Sequence, residues 1–256
     1  MAGELFGLLT RIRISRKPMD LETAAKKQHL FPLVGAAIGF LGVFVAIVIN
    51  ALLGSRMPFV SAGVLLAMLY YFTGILHIEG LADFADGLMT AGSQERKREA
   101  MKDVHLGVGG VFTATLYLIL MFGALTKLSA VSGDWKELSP LPWPVSAASG
   151  LVLAEMSGKL SMNVAMTLGP SAHEGMGSLF VKESSAWKLL VSITIASAVS
   201  VMVSGYLFCL VFLGLFAGFV VTMIARKNFG GVSGDAFGAA NEIGRLVTLL
   251  GWVIAI

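Results

Sequence analysis

Long apolar runs dominate the pattern along this chain. Leu30–Ser55, Met57–Leu76 and Leu106–Thr126 contain no Asp, Glu, Lys, Arg or His. Each has the roughly 20 residues that a helix rising about 1.5 Å per residue needs to cross about 30 Å of hydrocarbon. Leu138–Ala172 is a fourth such run, interrupted by Glu155 and Lys159. Leu189–Ala225 is uncharged throughout and would measure about 55 Å as one helix. That is too long for one span and enough for two short ones, with the turn at Ser204-Gly205. Leu246–Ile256 reads as a seventh span or a half-inserted helix. The pattern predicts an all-α, polytopic integral membrane protein with six or seven transmembrane helices.

Composition supports the same class. The 256 residues are 56% hydrophobic and 14% charged, with a mean hydropathy of +0.80, where soluble domains carry about 25% charged residues. A disordered chain or a nucleic-acid binder is excluded on these grounds. The lone cysteine, Cys209, lies in an apolar run and allows no intrachain disulfide. At the N-terminus the basic residues follow the apolar ones, which is not the order of a cleavable signal.

Charge fixes the expected orientation. Segments 1–29, 78–107, 155–188 and 226–245 hold 16 of the 19 Lys and Arg and 14 of the 16 Asp and Glu. The positive-inside bias puts these segments, and with them the N-terminus, in the cytoplasm. This alternation requires Leu189–Ala225 to be two spans. Glu4–Ile14, with Arg11 and Arg13 among apolar residues, is expected to lie on the inner leaflet as an interfacial helix, part of an N-terminal segment covering 1–29. With no repeat or linker visible, 1–256 is one domain whose polar loops are 77–107, 155–188 and 226–245.

The strongest chemical signal is His77-Ile-Glu-Gly-Leu-Ala-Asp-Phe-Ala-Asp-Gly87. Glu79, Asp83 and Asp86 fall at i, i+4 and i+7, on one helical stripe. Like charges at these spacings repel, so the stripe costs stability unless a cation sits on it. Oxygen donors without nearby cysteine suit a hard ion such as Mg²⁺. Asp103 stands where the chain enters the third span, just before Gly107 and Gly110. Glu155 and Lys159, at i,i+4 inside an apolar run, either pair with each other or serve function. Arg226-Lys227 precede Gly230, Gly231 and Gly234, which allow a backbone nest for phosphate oxygens, and Asp235 and Glu242 form a second acidic stripe. The mixed run Gln94–Glu99 reads as a solvated helix face. Together these features suit Mg²⁺-bridged diphosphate chemistry at the cytoplasmic side of a membrane domain.

The same residues resemble the cobalamin synthase family, the adenosylcobinamide-GDP ribazoletransferases. Phe31-Pro-Leu-Val-Gly35, His77–Gly87, Met101-Lys-Asp103 with Gly107 and Gly110, and Gly230-Gly-Val-Ser-Gly-Asp235 with Gly238-Ala239 and Glu242 are similar to family blocks in consistent order, from about residue 5 to 250. Many relatives have Asp where Glu79 stands, and Val104-His105 replaces a common Ser-Arg pair. The resemblance implies the last step of nucleotide-loop assembly in adenosylcobalamin biosynthesis. In it, the 5′ oxygen of α-ribazole or of α-ribazole 5′-phosphate attacks the cobinamide-side phosphorus of adenosylcobinamide-GDP, and GMP leaves.

On this resemblance Glu79, Asp83 and Asp86 hold Mg²⁺ against the diphosphate. Asp235 either completes the metal site or acts as base toward the attacking hydroxyl, Asp103 is the other base candidate, and Lys159, Arg226 and Lys227 meet phosphates. Gly230, Gly231 and Gly234 cradle the GMP side, with Glu242 beside the substrate. The expected location is the plasma membrane, with the active site on the cytoplasmic face; self-association into a homo-oligomer stays open. A CDP-alcohol-type phosphotransferase is the nearest alternative, but after Asp86-Gly87 its Arg is missing until Arg96. A cation-coupled transporter would call for inverted repeats, which are not visible.

Overall fold

The computed structural model describes residues 3–11, 20–53, 57–131 and 149–256. Among these residues the chain is helical: α1 (Gly3–Leu9), α2 (Leu21–Lys26), α3 (Phe31–Leu53), α4 (Pro58–Thr73), α5 (Leu76–Met89), α6 (Gln94–Met101), α7 (Val108–Val131), α8 (Ser149–Leu168), α9 (Met176–Lys182), α10 (Ala186–Ser204), α11 (Leu213–Phe229) and α12 (Gly234–Ala255). Two 3-10 segments, Gln28–Leu30 and Gly205–Phe212, precede α3 and join α10 to α11. The only pairing outside helices is a single parallel bridge between Ser171 and Val232 among the described residues.

Helix α8 is the axis of the bundle. Eighteen of its residues are buried, among them Glu155, Ser157, Lys159, Ser161 and Asn163. Small residues on its neighbours let backbones close on it, as polar-bearing helices in lipid require. A methyl group built on Gly35 of α3 would come within 2.6 Å of the Glu155 carbonyl, and one on Gly218 of α11 within 2.5 Å of the Ser161 carbonyl. Three helical stretches, Gln28–Leu53, Val108–Ala130 and Ala186–Phe229, are long and apolar enough to cross a membrane, or four if α4 and α5 count as one broken span. That is fewer than the six or seven expected from sequence. The difference has two sources: Ala186–Phe229 counts as one stretch although it reverses at Gly205, and α8 and α12 carry charge at positions buried among other helices.

The segment 186–229 is a hairpin, as the uncharged run predicts. Near the start of α10, Ser184 Oγ donates to Met166 O at 2.8 Å and Asn163 Nδ2 donates to Ser192 Oγ at 2.5 Å. Just beyond the end of α11, Val232 N donates to Pro170 O at 2.7 Å. Both ends therefore meet the C-terminal end of α8, which a straight rod of about 66 Å could not do. The reversal follows Ser204, at Gly205 with φ 56°. Helix α12 runs antiparallel to α8 along its whole length, from the Lys159–Asn241 contact to Gly150 against Trp252. At Gly234–Ala255 it matches α8 in length.

Helix α4 stops at Gly74 (φ 75°), and α5 leaves it at 93°. The acidic helix therefore crosses the first turns of α12 and α7. Gly80 faces Asp235 and Gly238, and a methyl group on Gly238 would reach within 2.8 Å of the His77 carbonyl. Helix α1, expected at the membrane interface, is held against its neighbouring helices. Leu5 and Leu9 are 3% and 2% exposed, and Arg11 N donates to Phe72 O at 2.7 Å, so the helix packs inward over α2 and α3. Arg13, Ile14 and segment 132–148 lie outside the described residues.

A buried charge network joins four of these helices. Arg245 (α12) reaches Glu155 (α8) at 3.2 Å and Glu242 (α12) at 2.5 Å, and donates to Tyr70 (α4) and Tyr117 (α7), both at 2.8 Å. Tyr70 donates onward to Glu242 at 3.0 Å. Lys159 donates to Asn241 Oδ1 at 2.6 Å, so Glu155 and Lys159 do not pair with each other as the i,i+4 spacing allowed. Removing the shared cation leaves two carboxylates without it. Arg245→Leu should therefore destabilise the detergent-solubilised protein by about 3–5 kcal/mol, read as a fall in thermal midpoint. Adding Glu155→Gln and Glu242→Gln to that variant should recover part of the loss.

Candidate functional site

Four carboxylates, Glu79, Asp83, Asp86 and Asp235, share one neighbourhood where α5 crosses α12. Glu79 is exposed on the outer side of α5, and Asp83 and Asp86 are half-buried beneath it. The stripe read from the i, i+4, i+7 spacing therefore exists, and the glycine contact between α5 and α12 brings it beside Asp235. Burial raises the Asp83 carboxyl to about 6, helped by the charges of Asp235, Glu79 and Asp86. A carboxylate crowded by three others in this way is a group that a cation would relieve.

Asp86 differs from its two partners. Its carboxylate accepts from Gly107 N at 2.8 Å and Gly110 N at 2.7 Å, capping the start of α7. A methyl group on Gly110 would come within 2.5 Å of that carboxylate. These glycines of the third block are needed so that Asp86 can reach the amides. The sequence signal for this cap was the spacing of Gly107 and Gly110 before an apolar run.

Among the described residues, no three His, Cys, Asp or Glu side chains approach closely enough to cage a metal unaided. Mg²⁺ is usually held by one or two carboxylates together with waters and substrate phosphates. The hard oxygen donors Glu79 and Asp83, with Asp235 opposite, fit an ion that arrives with a diphosphate.

Asp235 stands on the first turn of α12, whose cap is Ser233, with Ser233 Oγ accepting from Ala236 N at 3.3 Å. The glycine loop before it is only partly a nest. Gly230 takes the left-handed C-cap of α11 (φ 80°), its N–H bonded to Arg226 O, and Val232 N donates to Pro170 O. Gly231 is pressed against the Pro170 carbonyl. The amides able to meet an anion are those of the first turn of α12, beginning at Gly234, where no intrahelical acceptor is available.

Two recesses share His173, Ser233 and Asp235 as a common wall. One is a cleft of about 10 Å³, room for roughly one water, lined also by Arg98, Lys102 and Phe229. Arg98 is held there by donating to Phe229 O at 2.8 Å and by Glu95 at 3.0 Å. The other is a cavity of about 310 Å³ walled mainly by apolar side chains of α1, α3, α8, α9 and α12.

Sequence reasoning missed Arg98 and Lys102, since a mixed-charge run has no intrinsic direction. Met101, buried at 6% exposure and three residues after Arg98, was the one cue to the inward face.

The other expected residues lie apart from this junction. Asp103 is exposed, paired with His105 Nδ1 at 2.9 Å, and hydrogen bonds from His105 hold its carboxyl below the usual range. Arg226 and Lys227 are exposed on the last turn of α11 and line neither recess. Lys159 and Glu242, at 1% exposure each, belong to the buried network one to two turns below Asp235. Their charges are answered by Asn241, Arg245 and Tyr70.

The cobalamin-5-phosphate synthase family model matches residues 4–253. The chain is 31% identical to the adenosylcobinamide-GDP ribazoletransferase of Methanococcoides burtonii, over 98% of this chain and 90% of that protein. It is 32% identical to the protein of that name in Halorubrum lacusprofundi, over 97% and 95%. The Thermococcus onnurineus protein, also so named, is 33% identical over 96% and 94%. No solved structure matches the chain. With a match spanning nearly every residue and covering all four blocks, this membrane protein belongs to the cobalamin-5-phosphate synthase family.

Proposed function

We propose that this protein is an adenosylcobinamide-GDP ribazoletransferase. It moves the adenosylcobinamide phosphate onto a ribose hydroxyl of α-ribazole or its 5′-phosphate and releases GMP at a Mg²⁺-dependent site on the cytoplasmic face of the plasma membrane. The observation that carries this reading is the junction itself. Carboxylates of α5 face Asp235 of α12, with Arg98, Lys102 and the first-turn amides of α12 alongside. An anionic diphosphate with its cation would complete that array.

The family description names a 5-phosphate product. An acceptor already phosphorylated there has its 5′ oxygen esterified. For that acceptor, attack by the 5′ oxygen, expected from sequence, gives way to attack by a secondary ribose hydroxyl.

In this mechanism Glu79 and Asp83 would hold Mg²⁺, which neutralises charge on the diphosphate and stabilises the leaving GMP. Asp86 keeps α5 docked on the start of α7 and so fixes the spacing of the other two. Asp235 takes the proton of the attacking hydroxyl as the new P–O bond forms and the bond to the GMP oxygen breaks. Asp103 is a poorer base, since its carboxyl is lowered and committed to His105. Arg98 and Lys102 bind phosphate oxygens, a role the sequence suggested for Lys159. Exposed Arg226 and Lys227 attract the anionic donor by their field. Lys159 and Glu242 hold α8 against α12 beneath the site.

Purified protein given adenosylcobinamide-GDP, α-ribazole and Mg²⁺ should release GMP and form a cobalamin. Release without an acceptor would mark a hydrolase instead. Asp83→Asn should lower turnover by about 10²–10³-fold, and Arg98→Ala by about 10–10²-fold, as losses of charge stabilisation at a transferring phosphoryl group do. Asp86→Ala should chiefly lower thermal stability.

The pH dependence follows from Asp83. A carboxyl raised from 3.8 to about 6 means that the metal-free folded protein binds a proton the unfolded chain lacks between those values. Stability of the metal-free protein should therefore increase as pH falls from 7 toward 4. Mg²⁺ must displace that proton. The thermal stabilisation by Mg²⁺ with GDP should accordingly be larger at pH 7.5 than at pH 5, and Asp83→Asn should remove this pH dependence.

A further inference from the structure

Ser233 is 6% exposed and, together with Asp235, lines both recesses. A serine hydroxyl has one proton to donate and two lone pairs to accept with. One lone pair of Ser233 Oγ accepts from Ala236 N at 3.3 Å and caps α12. The cap leaves the hydroxyl proton unspent, and it goes to Asp235 Oδ2, also at 3.3 Å. That bond is long; catalytic hydrogen bonds commonly reach their final length only around substrate. Asp235 is half-buried, and its other oxygen, Oδ1, has no partner among the described residues.

The backbone under Ser233 is held from two sides. Its neighbour Val232 donates to Pro170 O at 2.7 Å and accepts from Ala172 N at 2.9 Å, which makes the bridge to Ser171. Opposite, α9 begins so close that a methyl group on Gly177 would come within 3.0 Å of Gly234 N and 3.2 Å of the Ser233 carbonyl carbon. Phe237 N donates to Ser233 O at 3.1 Å as the first helical bond of α12. A serine has a single rotatable bond between backbone and oxygen, so the fold places this hydroxyl in advance.

Resting on the transferase reading, with Asp235 as base, we propose that Ser233 is a positioning residue for the reaction. It holds Oδ2 so that Oδ1 faces the attacking hydroxyl. An aspartate carboxylate turns in a broad well about its last torsion, and without the serine proton it passes through angles at which neither oxygen meets the hydroxyl. In the step itself the acceptor O–H bond breaks, the proton passes to Oδ1, and the freed electron pair forms the new P–O bond. GMP leaves with the pair of the bond it loses, and Ser233 keeps its own proton throughout.

The capping role and the positioning role separate by substitution. A cap needs only an acceptor, which aspartate supplies equally well and which glycine nearly dispenses with. The contact to Asp235 needs the proton.

The test measures thermal midpoint and GMP release for Ser233→Thr, Ser233→Asp, Ser233→Gly and Ser233→Ala in detergent. Stability should follow the cap: near wild type for Ser233→Thr and Ser233→Asp, slightly lower for Ser233→Gly and lowest for Ser233→Ala. Turnover should follow the proton. Ser233→Thr should stay within about 3-fold of wild type, and the other three should each lose about 10-fold in kcat, the effect of one hydrogen bond to a charged group. Ser233→Gly adds no charge and Ser233→Asp adds no flexibility, so neither change explains a loss common to both. KM for donor and acceptor should stay within about 2-fold, because the serine acts through Asp235.

Wild-type kcat in Ser233→Gly or Ser233→Asp overturns the proposal, and so does turnover that falls in step with thermal midpoint across the series. A raised KM at unchanged kcat also overturns it, marking Ser233 as a substrate contact. Should Ser233→Thr not fold, the glycine and aspartate substitutions still decide. In each of these cases GMP release by wild-type protein leaves the transferase reading standing. Wild-type protein that releases no GMP removes that reading and the role of Ser233 with it.

Discussion

Arg245 holds the architecture together. One guanidinium, 1% exposed, is shared by carboxylates from α8 and α12 and hydroxyls from α4 and α7. In an apolar interior such a group is tolerable only when every charge is answered. The network therefore permits essentially one arrangement of these four helices. That arrangement sets where α4 ends, hence where α5 turns across the bundle, hence which residues of α5 meet Asp235. The chemistry at the surface inherits its geometry from an ion network two turns beneath it.

The fold is polar at the centre and apolar outside, as lipid demands. Helix α8 can carry Glu155, Lys159 and Asn163 because α3, α10, α11 and α12 surround it, and small residues let them approach. Helices such as α3 and α7, which lie at the rim, carry the exposed apolar surface: Phe40, Phe44, Phe112 and Ile119 all face outward. Hydropathy alone consequently counts three or four crossings, while the contacts along α8 describe a longer path. An outer helix must be apolar to meet lipid, but an inner one need only find partners.

Much of this was legible in the residues. Helical period placed Glu79, Asp83 and Asp86 on one stripe, since the i, i+4, i+7 spacing depends on local geometry alone. The length of Leu189–Ala225 forced a reversal, and Gly205 is where it occurs. What could not be read was direction. Glu242 and Asp235 share a stripe of α12, yet the first turn places Asp235 at the bundle mouth and the following turns carry Glu242 inside, where Arg245 claims it. Lys159 lost its i−4 partner for the same reason: Arg245, distant in sequence, competes for Glu155. Arg98 was hidden among charges of both signs, and the inward packing of α1 depends on Phe72, a contact no local pattern encodes. The blocks of family resemblance coincide with segments that pack together around α5, α7 and α12, without distinguishing residues at the junction from residues that hold helices.

Cavity and cleft meet at Asp235, where the charged end of the bundle adjoins its apolar interior. Phosphoryl transfer needs fixed charges that do not reorganise, and these act more strongly when the medium beneath them is poor in water. The bundle supplies that medium below Asp235, while α5 supplies the carboxylates from above. The two recesses beside Asp235 differ in character: the cleft carries Arg98 and Lys102, and the larger cavity is walled mainly by apolar side chains. His173, Ser233 and Asp235 line both recesses, so one carboxylate borders a charged space on one side and an apolar one on the other.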